Sequence, residues 1–133
     1  QLAWKLQCDQ RVVNIERTNI RYLEKKHLSA EPDGAVIDVS FISLRKVIPK
    51  VFELIKKGGD ILALIKPQVE VAKGEVGKRG VIRDARTHES VIEEISAFAL
   101  ETGLAVRGVV ESPLMGPKGN REFFIYLKEE GIT

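Results

Sequence analysis

At 133 residues, 44% of them hydrophobic, the chain has the length and composition of one ordinary soluble domain with room for a sizeable core. Its 21 Lys and Arg against 19 Asp and Glu leave a net charge of +2, which says little about partners until the charges are located along the chain. The single cysteine, Cys8, excludes an internal disulfide or a cysteine cluster for zinc, and no apolar run approaches the roughly 20 residues that span a bilayer.

The start, Gln1-Leu2-Ala3-Trp4-Lys5-Leu6, has neither an initiator Met nor the apolar core of a secretory signal, so a soluble, cytoplasmic protein without a membrane partner is expected. Leu2 to Gln7 reads as the end of a helix, and Arg11 to Ile15 as a short strand running into polar Glu16-Arg17-Thr18-Asn19. Residues 24 to 34 carry charges, Pro32 and Gly34, and read as a surface loop. Ala35-Val36-Ile37-Asp38-Val39 then reads as a buried strand interrupted by one acid. Ser43 is a plausible cap for a helix carrying Val47, Ile48, Val51, Leu54 and Ile55, stopped by Gly58-Gly59, with Pro49 expected to kink it or delay its start.

Asp60 to Ile65 is a nearly continuous apolar run, the pattern of a parallel strand covered on both faces, and it leads straight into Lys66-Pro67. After a glycine-rich basic loop, Val91, Ile92, Ile95, Phe98 and Ala99 mark a second amphipathic helix ending near Gly103. Leu104 to Val110 and Glu122 to Leu127 are the last strands, joined by Ser112-Pro113-Leu114-Met115-Gly116-Pro117-Lys118-Gly119-Asn120, which has surface-loop composition. The alternation predicts an α/β sheet with helices on its faces, and no repeat or linker divides it.

Asp38 and Lys66 each interrupt or end a strand otherwise too apolar to be exposed, and a buried charge must be paired or used. Ligands of open parallel sheets bind beyond the carboxyl ends of the strands, where both residues would lie. Glu122 instead begins its strand. If that last strand runs antiparallel to the others, its start reaches the same edge, and Asp38, Lys66 and Glu122 converge there. A salt-bridged cluster without chemical role is the alternative at this stage.

The segment from Lys73 to Arg86 gathers Lys73, Lys78, Arg79, Arg83 and Arg86 between glycines. Its functional reading is contact with a nucleic-acid backbone, and its bland reading an exposed solvated loop. It is no P-loop, because Ala72 and Arg79 stand where that motif needs a glycine and a Ser or Thr. His27 reads as loop surface and His88 as a first-turn helix residue. Neither has metal-ligand spacing, and no metal is expected.

Several blocks in order resemble the TlyA family of hemolysin A-like rRNA 2′-O-methyltransferases, in the FtsJ-like Rossmann class. They are Gln1 to Leu6, Asn14-Ile15-Glu16-Arg17-Thr18-Asn19-Ile20-Arg21, Asp38-Val39-Ser40-Phe41-Ile42-Ser43-Leu44, Lys66-Pro67-Gln68-Val69-Glu70, Lys73-Gly74-Glu75-Val76-Gly77-Lys78, and Ser112 to Pro117 with Gly119-Asn120-Arg121-Glu122-Phe123. The resemblance implies a partial Rossmann-like methyltransferase sheet, mostly parallel with an antiparallel last strand and helices on both faces. It also implies S-adenosylmethionine as cofactor, and ribosomal RNA or ribosomal subunits as partners, with a cytidine as target.

The class uses a Lys-Asp-Lys-Glu tetrad. By resemblance Asp38, Lys66 and Glu122 match its second to fourth members, Asp38 also bordering the cofactor, and Asn19 matches a position that faces the cofactor's adenine. No glycine precedes Gly34, so residues 1–133 are expected to be the carboxyl-terminal part of a methyltransferase domain. Its first strands, glycine-rich loop, first catalytic Lys and S4-like RNA-binding domain would lie upstream, and the fragment alone is expected to be inactive. Two rival readings remain, a non-catalytic RNA-binding module and a cytolytic hemolysin.

Overall fold

The computed structural model describes Ile20, residues 23–71 and residues 80–131. The helix over Leu2 to Gln7, the strand over Arg11 to Ile15, and Cys8, Asn19, Lys73, Lys78 and Arg79 lie outside the described residues.

Among the described residues four strands form one sheet in the order β1-β2-β4-β3: β1 (Gly34–Ile37), β2 (Asp60–Ile65), β3 (Leu104–Glu111) and β4 (Phe123–Glu129). β1 and β2 are parallel, and β4 is antiparallel to both β2 and β3. β3 therefore runs with β1 and β2, and the last strand alone is reversed, as expected.

α1 (Leu44–Leu54) follows β1, the single turn α2 (Pro67–Glu70) follows β2, and α3 (Ala85–Thr102) leads into β3. Ser43 caps α1 as its sequence predicts, accepting from the Arg45 N–H at 3.1 Å. Pro49 does not delay the helix, which starts at Leu44 and continues through it to Leu54. α3 begins at an Asp84 cap and stops where Gly103 takes φ 104°, a left-handed conformation that costs glycine nothing.

Of the helices expected on both faces, the two long ones described pack on one face. Both connections, β1 to β2 and β2 to β3, step across the sheet in the same direction, and right-handed crossovers stepping the same way put their helices on the same side. Ile61, Ala63 and Ile65 of β2 and Ile125 and Leu127 of β4 meet Val47, Ile48 and Val51 of α1 and Val91, Ile95 and Ala99 of α3 in a single core. Burying each large aliphatic side chain there contributes about 1.5–3 kcal/mol. The opposite face leaves Val36, Leu62 and Tyr126 exposed. The strand read as Ala35 to Val39 is thus half exposed, and it ends at Ile37, so Asp38 follows the strand and does not interrupt it.

At the amino end of β2, away from the rim where β1 and β2 end, the Tyr126 hydroxyl donates to Asp60 Oδ1 at 2.6 Å and Lys128 Nζ donates to the same oxygen at 3.3 Å. The Tyr126 bond and then the Lys128 ammonium hold the Asp60 carboxyl below its ordinary range, and the bond to Asp60 holds the Tyr126 phenol above its own. The Asp60 contribution to stability is present above the unfolded carboxyl range and is lost as pH falls through the lowered folded value. The Tyr126 contribution is present below about pH 10 and is lost as pH rises past the raised one. In an NMR titration, Asp60→Asn is expected to bring the Tyr126 phenol down toward its ordinary range. An unchanged Tyr126 titration would show that the bond is not formed in solution.

Candidate active site

β1 and β2 end side by side, and the strand-end residues converge there. Lys66 follows Ile65 directly, and Pro67 at the first position of α2 fixes the turn that begins at Lys66. The backbone N–H groups of Val69 and Glu70 donate to the Lys66 carbonyl at 2.8 and 3.2 Å, so the residue is anchored on both sides of its side chain. Its ammonium lies 2.7 Å from Asp38 Oδ1, with the Lys66 side chain 14% exposed and that of Asp38 63% exposed. A mostly covered lysine side chain is thus held by a carboxylate that is open to the outside.

Glu122 reaches the same rim from the reversed strand. Ile65 pairs with Phe123, so Lys66 and Glu122 stand as neighbours just beyond the paired ends of β2 and β4. Glu122 is 5% exposed, and its Oε2 accepts from Gln68 Nε2 at 2.8 Å. It has no direct ion pair with Lys66. The acid, amine and acid of the sequence reading therefore share one edge, with Lys66 bonded to Asp38 and Glu122 bonded to the amide two residues after Lys66.

The connection read as an exposed loop is built into this rim. Asn120 is buried: its Oδ1 accepts from the Ile82 N–H at 2.9 Å, and its Nδ2 donates to the Gly80 and Pro117 carbonyls at 2.9 and 3.0 Å. One amide thereby ties the end of the basic segment to the turn beside Glu122. His88, read as a first-turn residue, is the fourth residue of α3 and is buried, with Nε2 3.0 Å from the Ile82 carbonyl and its ring tilted against Phe123. Asn120→Ala would leave the Ile82 N–H unpaired, and we expect a loss of about 3 kcal/mol. At this chain length that is a fall in Tm of roughly 10 °C by calorimetry, and an unchanged Tm would contradict the clamp.

A cleft of about 210 Å3 opens over Lys66, bounded also by Ser40, Phe41, Gln68, Lys118 and Asn120. Phe41 is 98% exposed, and it and Lys118 take φ of 62° and 60°, the two described non-glycine residues in the left-handed region. Holding a side-chain-bearing residue there costs about 1–2 kcal/mol, and such strain collects at functional sites. Neither Phe41 nor Lys118, nor the amides Gln68 and Asn120, was singled out by sequence reasoning. The one signal was a large aromatic in the short segment between the strand ending before Asp38 and the helix cap Ser43.

Of the residues proposed from sequence to meet RNA, Arg83 and Arg86 are described, and both are exposed. Arg86 lies with Arg45, Glu70, Thr87 and Glu94 in a separate groove of about 530 Å3. The turn carrying Lys66 divides this groove from the cleft. Glu70 of that turn accepts from the Ser43 hydroxyl at 2.5 Å and the Leu44 N–H at 2.8 Å, locking it onto the start of α1. Among the described residues no cluster of three His, Cys, Asp or Glu is placed to hold a metal, and no helix is long and apolar enough to cross a membrane.

A mostly parallel sheet with one reversed strand, and charged residues gathered beyond the carboxyl ends of its parallel strands, is the architecture of a Rossmann-like methyltransferase domain. The chain belongs to the FtsJ-like methyltransferase family, whose model matches residues 1–129. It is 42% identical over 130 residues to the 16S/23S rRNA (cytidine-2′-O)-methyltransferase TlyA of Mycobacterium tuberculosis, covering 98% of this chain and 48% of that protein. It is 43% identical over 132 residues to a candidate rRNA methyltransferase, YqxC, of Bacillus subtilis, covering 98% of this chain and 47% of that protein. A solved hemolysin-like protein of Streptococcus thermophilus superposes with a TM-score of 0.94 at 40% identity, over 98% of this chain and 48% of that one. The chain spans about half the length of these relatives.

S-adenosylmethionine, the methyl donor that the family implies, carries a sulfonium cation. The described residues fit it at one point, since Asp38 holds Lys66 through one oxygen while its carboxylate stays largely open at the rim. Asn19, the other residue assigned to the cofactor, lies outside the described residues.

Proposed function

We propose that the intact protein methylates a ribose 2′-hydroxyl of ribosomal RNA, on cytidine, with S-adenosylmethionine as methyl donor. When bound, that cofactor supplies an electrophilic methyl group. The chain's own residues have the remaining task, because a ribose hydroxyl is a poor nucleophile until it is oriented and relieved of its proton. Lys66 Nζ orients the hydroxyl and, once its ammonium has given up one proton to solvent, accepts the hydroxyl proton as a neutral amine. Asp38 fixes Nζ through its ion pair, and Glu122, which makes no direct pair with Lys66, supplies a second negative charge on the same rim. The observation that carries this reading is the 2.7 Å pairing of Lys66 Nζ with Asp38 on the rim that also carries Glu122.

Phe41 extends the reading to the base. An exposed ring at the cleft mouth suits stacking on a nucleobase turned out of its strand, worth about 1–3 kcal/mol for each base stacked. Phe41→Ala is accordingly expected to weaken RNA methylation by roughly 10-fold or more, while Phe41→Tyr keeps activity. Equal rates for wild type and Phe41→Ala would remove the base from this position. Lys118 at the cleft, together with Lys73, Lys78, Arg79, Arg83 and Arg86, is proposed to neutralise RNA phosphates.

The test is transfer of labelled methyl from S-adenosylmethionine to ribosomal RNA and subunits by the intact protein, with nucleoside mass spectrometry of the product. 2′-O-methylcytidine is the expected result. RNA binding with no methyl incorporated would favour a binding module instead, and leakage of liposomes would favour a cytolytic role.

A further inference from the structure

Two amides stand at this rim, Asn120 buried and Gln68 half-buried, and they are satisfied differently. Asn120 uses both ends of its side chain in three hydrogen bonds. Gln68 uses one: Nε2 donates to Glu122 Oε2 at 2.8 Å, while Oε1 is one of two buried side-chain atoms without a hydrogen-bond partner among the described residues. A side chain kept only to staple the rim would satisfy both ends, as Asn120 does, or be replaced by an apolar one of the same size. The Gln68 amide is turned to serve the carboxylate. Reversing it would set a carbonyl oxygen against a carboxylate oxygen.

Glu122 is also confined from the other side. A β-carbon on Gly116 would overlap its Oε2, so the backbone of the turn presses against the carboxylate that Gln68 holds. Gln68 and Lys66 line the same cleft, with only Pro67 between them in the chain. The Glu122 carboxylate, on the rim beside Lys66, is therefore held by a residue on the same turn as the amine.

We propose that Gln68 is a positioning residue for methyl transfer, acting through Glu122: its amide holds the carboxylate in register with Lys66. This rests on the methyltransferase reading above, and Lys66 remains the residue that meets the hydroxyl.

The experiment measures steady-state methyl transfer to ribosomal RNA by the intact protein. Gln68→Met keeps the length without polar atoms, and Gln68→Glu keeps the shape but sets carboxylate against carboxylate. Each is made alone and with Glu122→Gln, with Lys66→Ala as a control. Each single variant is expected to lower kcat by at least about 10-fold while KM for RNA changes by less than about 3-fold, with Gln68→Glu the more impaired. In the Glu122→Gln background, Gln68→Met is expected to lower kcat by less than about 3-fold further, because residues acting as one unit are not additive.

Wild-type kcat in the single variants would overturn the proposal while leaving the methyltransferase reading intact. So would an undiminished loss in the Glu122→Gln background, which is also what general misfolding would produce. Wild-type protein that transfers no methyl to RNA would overturn both.

Discussion

Lys66→Ala in the intact protein is expected to lower kcat for RNA methylation by about 10²–10⁴-fold, the usual contribution of a positioned acid or base. The size follows from the site. The Lys66 side chain is mostly covered, with Nζ held at 2.7 Å by Asp38, and among the described residues of the cleft the other ammonium is that of Lys118, on the exposed turn before Asn120. Lys66→Arg should not rescue, because a planar guanidinium is larger and stays protonated, so it can neither sit in the same place nor accept a proton. Removing the amine leaves Asp38, which is largely exposed, able to find water. The variant should therefore fold, with a Tm near that of the wild type. Retention of full methyl transfer by folded Lys66→Ala would dismiss the proposed role outright.

Gly116→Ala is expected to be nearly as harmful to activity while adding only one methyl group. Gly116 has φ −76°, a backbone any residue adopts, so the requirement for glycine is space and not conformation. The added β-carbon would occupy the volume of Glu122 Oε2. Overpacking of this kind costs typically about 1–3 kcal/mol. Here the carboxylate is the part free to yield, because Gly116 is tied at both backbone groups: its N–H donates to the Asn120 carbonyl at 2.8 Å, and its carbonyl accepts from the Gly119 N–H at 3.2 Å. Glu122 should lose its bond to Gln68, and kcat should fall by roughly 100-fold, since small misplacements at a reacting centre cost about that much. Tm should fall by only a few degrees. Wild-type kcat in Gly116→Ala would show that the turn does not confine the carboxylate.

The two variants probe different layers of the same arrangement. Lys66 is the group proposed to meet the ribose. Gly116 never touches it and acts only through the space it leaves. A loss in both, with RNA affinity kept, would separate the chemistry at the rim from the phosphate contacts proposed for Arg83 and Arg86.

Strand and helix order was legible from period alone. The nearly continuous apolar run from Asp60 to Ile65 reads as a strand because it is too short for a buried helix and is bounded by Gly58-Gly59 before and Pro67 after. Ser43 as a cap and Gly103 as a stop were legible because the unsatisfied ends of a helix demand particular residue types. Asp38 and Lys66 stood out as charges against apolar strands, and Glu122 as an acid at the start of another. Asn120 left no such signal, since an amide among glycine, proline and lysine has the composition of any exposed turn, and its burial depends on the chain folding back to Ile82. Phe41 left a faint one.

By itself the sequence determined the order of the described strands and the two long helices, the cap of α1 at Ser43 and the stop of α3 at Gly103, and which three charged residues are candidates for the site. These follow from local chemistry, namely side-chain period, capping and the cost of an unpaired charge. The tertiary structure decided that β4 is reversed and lies between β2 and β3, which brings Glu122 to the rim of Lys66, and that both long helices share one face. It also decided that Glu122 is held by Gln68 and Gly116. Those outcomes depend on contacts between residues up to 68 positions apart, and no local pattern encodes which of two carboxylates will take an amide and which the amine.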